Sequence, residues 1–189
     1  MTSPMLQATD SPVRALETAE PASVGFPEVG EVGFYRIGGY EPGPALVLTH
    51  GVHLGASSAE TAPFVGAFPE RLRYVLDWPG FGRSDRSARA YGAGLCTRAL
   101  SQWLAEVVPG WARPVDLVGQ GLGAEICARV AIERPDLVRS LVLISPSGLG
   151  VPHPPSPLRE RVLDVLRDHP DATRRLFDLL TSRPALELY

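Results

Sequence analysis

The sequence predicts an α/β domain built on a mostly parallel sheet with flanking helices, and three observations point to it. Short, almost uninterrupted apolar runs occur at residues 45–49 (ALVLT), 115–118 and 141–144 (LVLI), the pattern of strands covered on both faces. A segment with helical periodicity lies between the last two runs, so residues 114–148 form a strand–helix–strand unit whose strands run parallel. Three glycines at alternate positions, Gly119, Gly121 and Gly123, break the chain between strand and helix, at the end of a parallel sheet where ligands are met.

At 189 residues, 44% of them hydrophobic, the chain suffices for one domain with a sizeable core. A formal charge of -3, from 18 basic and 21 acidic residues, argues against a nucleic-acid partner and gives no basic patch for a membrane surface. Small-molecule ligands, neutral or weakly polar, are the partners that this balance leaves open. Cys96 and Cys127 fall on helical segments without metal-ligand spacing and read as small packing residues, so no metal and no cofactor is expected. Residues 1–30 lack a charged start followed by an apolar stretch, and no run reaches membrane-spanning length. A reducing, cytoplasmic setting is the simplest expectation.

In chain order, residues 1–30 mix Pro, Ser, Thr, Glu and Ala and read as a flexible segment. Residues 31–39 (EVGFYRIGG) alternate as an early strand, and 40–44 turn. The buried strand at 45–49 ends in His50, Gly51, Val52 and His53. A short helix is expected over 59–68 and a strand over 73–76 (RYVL), followed by the loop DWPGFGRSD at 77–85, whose Pro and Gly form turns. Trp78 and Phe81 are large enough to serve either a pocket or the core. Residues 95–108 form an amphipathic helix that crosses back to the strand at 115–118. After the glycine turn, Leu122, Ile126 and Val130 make one apolar stripe, Glu125, Arg129 and Glu133 share the opposite side, and Pro135 ends the helix. The strand at 141–144 closes in Ser145, Pro146, Ser147 and Gly148. Beyond it lie a proline-rich linker at 150–157, a helix for which Ser156 and Pro157 suit the N-cap and first position, a second helix over about 171–182 and a third from Pro184.

The glycine turn has two alignments. As G-x-?-x-G, Gly119 and Gly123 flank a nucleophile elbow, the strained turn that lifts a catalytic side chain above the sheet, and Gly121 holds the nucleophile position. As G-x-G-x-x-A, the residues Gly119, Gly121 and Ala124 fit a dinucleotide fingerprint. The fingerprint expects an acidic residue about 20 positions on, where this chain has Ser145, Pro146 and Ser147.

The His-Gly pair after the buried strand, the D-x-P-G-x-G-x-S pattern at 77–84 and the stretch RPDLVRSLVLISPSG at 134–148 resemble, in order and spacing, the α/β-hydrolase superfamily in its capped form. The resemblance covers about residues 31–148. It implies an α/β-hydrolase core over 31–150 and the start of a helical cap over 151–189. By the same resemblance the backbone N–H groups of Val52 and Leu122 form an oxyanion hole, and His50, Gly51, His53, Trp78 and Gln120 belong to the pocket. It also implies strands seven and eight, with a triad acid and histidine, that this sequence does not supply, so the chain reads as truncated within the cap. An esterase-like or C–C-bond-hydrolase-like protein is implied, inactive as written because glycine holds the nucleophile position. A small-ligand-binding pseudoenzyme and a nucleotide-binding domain are the alternatives. Ser84, Ser145 and Ser147 are the serines near strand ends, and His153 and His169 fall in the linker and cap. Without a seventh strand, the run at 141–144 is expected to be an edge open to self-association.

Overall fold

The computed structural model describes residue 16, residues 19–39, 42–53, 55–87 and 90–147, and single residues between 157 and 175. The chain divides into two compact units, one formed by Met1–Gly51 with Ala56–Ser147 and the other by Val52–Gly55 with Gly148–Tyr189.

The first unit holds a six-stranded mixed sheet. Its strands are β1 (Glu20–Phe26), β2 (Gly30–Ile37), β3 (Leu46–Thr49), β4 (Arg73–Leu76), β5 (Val115–Gln120) and β6 (Val138–Ile144), arranged in the order β1-β2-β4-β3-β5-β6. β1 and β2 form an antiparallel hairpin, β2 meets β4 antiparallel, and the pairs β3/β4, β3/β5 and β5/β6 are parallel. The fold is thus the α/β class that the apolar runs require. β3 and β4 are buried at every position; β3 therefore reads as an apolar run closed by Thr49, while in β4 the buried Arg73 is admitted by hydrogen bonds to the Val65, Pro69 and Arg71 carbonyls.

Among the described residues the sheet is accompanied by the helices α1 (Ala62–Gly66), preceded by a 3₁₀ turn at Ser58–Thr61, α2 (Ala93–Glu106) and α3 (Leu122–Glu133). Leu46, Leu48 and Val75 pack with Val65 of α1, together with Tyr35, Ile37 and Val118. Trp103 of α2 meets Phe34 and Tyr74 edge-on, at centroid distances of 5.2 and 5.1 Å, so an aromatic cluster joins α2 to β2 and β4. Cys96 and Cys127 are buried as packing residues, and burial pushes their thiols up to about 11 and about 12.

Two expectations are corrected. β1 occupies Glu20–Phe26, inside the segment read as flexible, and pairs along its whole length with β2. Backbone hydrogen bonds to a partner strand order it, and Ala22, Val24 and Phe26 alternate inward along it, with Phe26 buried. β6 begins at Val138, three residues before the apolar run, because its amino end pairs with Val115 and Asp116. β6 lies at one edge of the sheet, with Val142 50% and Leu143 40% exposed.

In the second unit, Pro157, Arg161, Asp164, Val165 and Asp168 are helical, as are Asp171, Arg174 and Arg175. The linker at 150–156 and the helix expected from Pro184 lie outside the described residues. Among the described residues, no helix is long and apolar enough to cross a membrane.

Candidate active site

The glycine turn sits where β5 ends and α3 begins, and each of its three glycines is required for a different reason. A Cβ on Gly119 would come within 2.6 Å of the Ala124 Cα and 2.9 Å of the Cys127 Sγ, so this position lets α3 approach its own strand. A Cβ on Gly123 would lie 2.3 Å from the backbone oxygen of His50, so it admits the loop after β3. Gly121 differs from both. Its backbone is left-handed, at φ 55 and ψ -126, yet the nearest atom to an added Cβ is the Gly51 Cα at 3.8 Å. A side chain there would have space and a strained backbone, the combination that defines a nucleophile elbow. The turn is tied to β6: Gly121 donates its N–H to the Ile144 carbonyl at 2.9 Å, and its own carbonyl accepts from Ala124 at 3.2 Å and Ser147 at 3.4 Å. Leu122 opens α3, where the first-turn N–H groups have no intrahelical acceptor.

His50 fixes the neighbouring loop from below. Its Nδ1 donates to the Gly51 carbonyl at 2.6 Å and its Nε2 accepts the Trp78 backbone N–H at 3.2 Å, a pairing that requires the neutral ring protonated on Nδ1. The Trp78 indole N–H in turn donates to the His50 carbonyl at 2.9 Å, and Phe81 meets the imidazole edge-on at 5.5 Å. Both His50 and Trp78 are fully buried, so they support the site rather than meet solvent. Gly51 and Gln120 flank the elbow, Gly51 buried and Gln120 partly so. Val52 and His53 belong to the second unit.

Two carboxylates that the sequence alone does not single out complete the support. Asp77, fully buried, accepts from the Ser58 N–H and the Arg83 N–H, each at 3.1 Å, and its Oδ1 lies 3.8 Å from the His50 Nε2. Glu60 accepts the Gly51 N–H at 3.2 Å and the Ser57 N–H at 3.3 Å, and Ser57 caps the same turn. The S-x-x-E spacing of Ser57 and Glu60 is a capping signal legible in sequence, although its link to Gly51 is not.

The serines divide clearly. Ser84 is buried and structural, donating to the Asp77 carbonyl at 2.6 Å and accepting the Gly33 N–H at 2.9 Å. Ser145 and Ser147 are exposed at the end of β6, beside the elbow, and Ser145 holds the left-handed φ of 45 that side chains disfavour. Cys127, beneath the turn, contacts the Thr49 hydroxyl at 3.2 Å and is no nucleophile with its thiol pushed so high. His153 lies outside the described residues, and His169 is exposed in the second unit. Among the described residues no group of three His, Cys, Asp or Glu could hold a metal ion.

Known proteins agree with this geometry. The family described as alpha/beta hydrolase fold matches residues 44–187. The chain is similar to a 2-hydroxy-6-oxo-6-phenylhexa-2,4-dienoate hydrolase of Comamonas testosteroni, 32% identical over 117 residues that cover 59% of this chain and 39% of that protein. It is also similar to an esterase of Mycobacterium tuberculosis, 33% identical over 143 residues that cover 70% of this chain and 45% of that protein. Among solved structures, a membrane phospholipase A described as a bacterial virulence factor superposes with a TM-score of 0.64 at 30% identity, over 81% of this chain and 47% of that chain. The matched regions span less than half the length of these relatives. A family match over most of the chain, on a sheet whose fifth strand runs through a glycine elbow into a helix, leads to one conclusion: the chain belongs to the alpha/beta hydrolase fold family.

Proposed function

We propose that this chain is a non-hydrolytic relative of esterase-like and C–C-bond-hydrolase-like proteins, one that receives a small ester-like ligand at the carboxyl end of its sheet without cleaving it. The observation that carries the reading is Gly121, which has the backbone of an elbow and open space where a nucleophile would stand. Family membership supports the elbow alignment of the turn over the dinucleotide one. The remaining chemistry is that of a backbone donor, with Leu122 at the start of α3 offering its N–H to a carbonyl oxygen. Loss of a serine nucleophile lowers turnover by about 10⁶ in a serine protease, where oxyanion contacts and binding retain about 10³ over water.

The test is hydrolysis of short-chain aryl esters, with fluorophosphonate labelling in parallel. No turnover above background and no labelled serine are expected, and Gly121→Ser alone restores neither, because an unassisted hydroxyl is scarcely ionised at neutral pH. Stoichiometric labelling of Ser145 or Ser147 would sink this reading, and the strained backbone at Ser145 makes that outcome worth searching for by peptide mapping. We also propose self-association through β6, whose exposed Val142 and Leu143 accompany backbone groups left without a neighbouring strand among the described residues. Light scattering that returned a monodisperse monomer would refute this.

A further inference from the structure

The opposite end of the sheet carries a concavity. A cavity of about 280 Å³ lies there, lined by the turn at 42–44 and by Glu70, Arg71, Leu72 and Arg139. Two guanidinium groups reach it while sharing one carboxylate. Arg71 donates through Nη2 to the Pro44 carbonyl at 2.7 Å and to the Asp116 Oδ2 at 2.6 Å. Arg139 donates through Nε to the Asp116 Oδ1 at 2.8 Å and through Nη2 to Oδ2 at 2.5 Å, and the Ser140 hydroxyl donates to Oδ1 at 2.5 Å.

A carboxylate offers about four acceptor sites, and these contacts fill them on Asp116. The Nε and Nη1 of Arg71 and the Nη1 of Arg139 have no acceptor among the described residues. Two cations therefore share one saturated anion, with side chains 24% and 53% exposed, and both arginines line the cavity.

We propose that this cavity is a binding site for a small anion, a carboxylate or phosphate group held between Arg71 and Arg139. Guanidinium forks match the paired oxygens of such groups, and Asp116 already orients both forks, so less side-chain freedom is lost when the anion arrives. Pro42 and Pro44 give the rim a restricted backbone. The volume falls just below the range of about 300–1,000 Å³ usual for small-molecule pockets, which suits a ligand of few heavy atoms. Glu70, exposed on the lining, opposes an anion and limits its affinity. The site is independent of the elbow, being built from residues at the amino ends of the strands.

Calorimetric titration of the full chain with inorganic phosphate, and separately with acetate, tests the proposal at ionic strength held constant with chloride. Saturable one-to-one binding of at least one of them is expected, and which one binds tells phosphate from carboxylate recognition. Arg139→Gln should weaken that binding about tenfold, as loss of a charge-assisted hydrogen bond does. Glu70→Gln should tighten it about twofold by removing an exposed like charge. Should Arg139→Gln fail to fold, the direction of the Glu70→Gln change still decides. No saturable binding of either anion, or an affinity that neither substitution alters, overturns the proposal.

Discussion

The two ends of the central sheet are held by different forces. At the carboxyl end a neutral His50, a Trp78 indole and backbone groups fit against Gly123, which leaves no room for a methyl group. At the amino end Asp116 gathers two arginines and a serine from segments far apart in sequence. The first arrangement is close-packed and intolerant of added atoms, with the carboxylates of Asp77 and Glu60 bonded to backbone N–H groups rather than to arginines. The second is ionic and partly solvated, so it responds to pH and salt and tolerates changes of shape. Positioning within tenths of an ångström is thus reserved for the end that carries the candidate active site.

Adding one methyl group at the carboxyl end should produce the largest effect. Gly123→Ala places a Cβ at 2.3 Å from a backbone oxygen, a clash that no flexible side chain can relieve. A loss of about 3 kcal/mol is expected in urea denaturation, at the upper end of overpacking penalties. Gly121→Ala adds the same atom two residues earlier into open space, so only the cost of its positive φ remains, about 1 kcal/mol. Equal losses from the two substitutions would show that the turn is not divided into a packed and an open position.

A smaller and pH-dependent effect is expected at the amino end. Burial works to raise the Asp116 carboxyl, but hydrogen bonds from Arg139, Ser140 and Arg71 outweigh it and hold the group at about 2. An unfolded aspartate titrates near 3.9. With the folded value the lower one, the contribution is fully present above about pH 4 and disappears as pH falls towards 2. Asp116→Asn should cost about 1 to 2 kcal/mol at neutral pH, a figure reduced because Arg139 is half exposed to solvent. The difference between wild type and variant should shrink below pH 4 and be lost as pH falls through 2. A constant difference across that window would mean that the charge is not what holds this end.

Much of the sheet is legible in the amino-acid sequence, because a strand covered on both faces must be apolar at consecutive positions. The run at 45–49 shows this, with β3 buried throughout; RYVL at 73–76 matches β4 residue for residue although it opens with the buried Arg73, and 141–144 lies inside β6, where Val142 and Leu143 are exposed at the sheet edge. β1 is only weakly legible: Ala22, Val24 and Phe26 alternate inward along it, but Glu20, Pro21 and Gly25 blur the pattern and the antiparallel pairing with β2 completes the strand. The candidate site is legible as turn chemistry, with the three glycines and the His-Gly pair. Its supports are not: in sequence, Asp77 looks like part of a loop and Glu60 like part of a helix.

By itself the sequence determined the α/β class, the strand–helix–strand unit and the glycine in the nucleophile position, because backbone preference and hydrophobic period are local properties. Only the tertiary structure decided that Gly121 is open while Gly119 and Gly123 are closed, for that depends on which atoms from β3, α3 and the loop after β4 arrive beside each. It decided likewise that Asp116 would meet Arg71, 45 positions away, and Arg139, 23 positions away. Contacts at such separations are set by the order of strands in the sheet, and no local pattern in the chain encodes it.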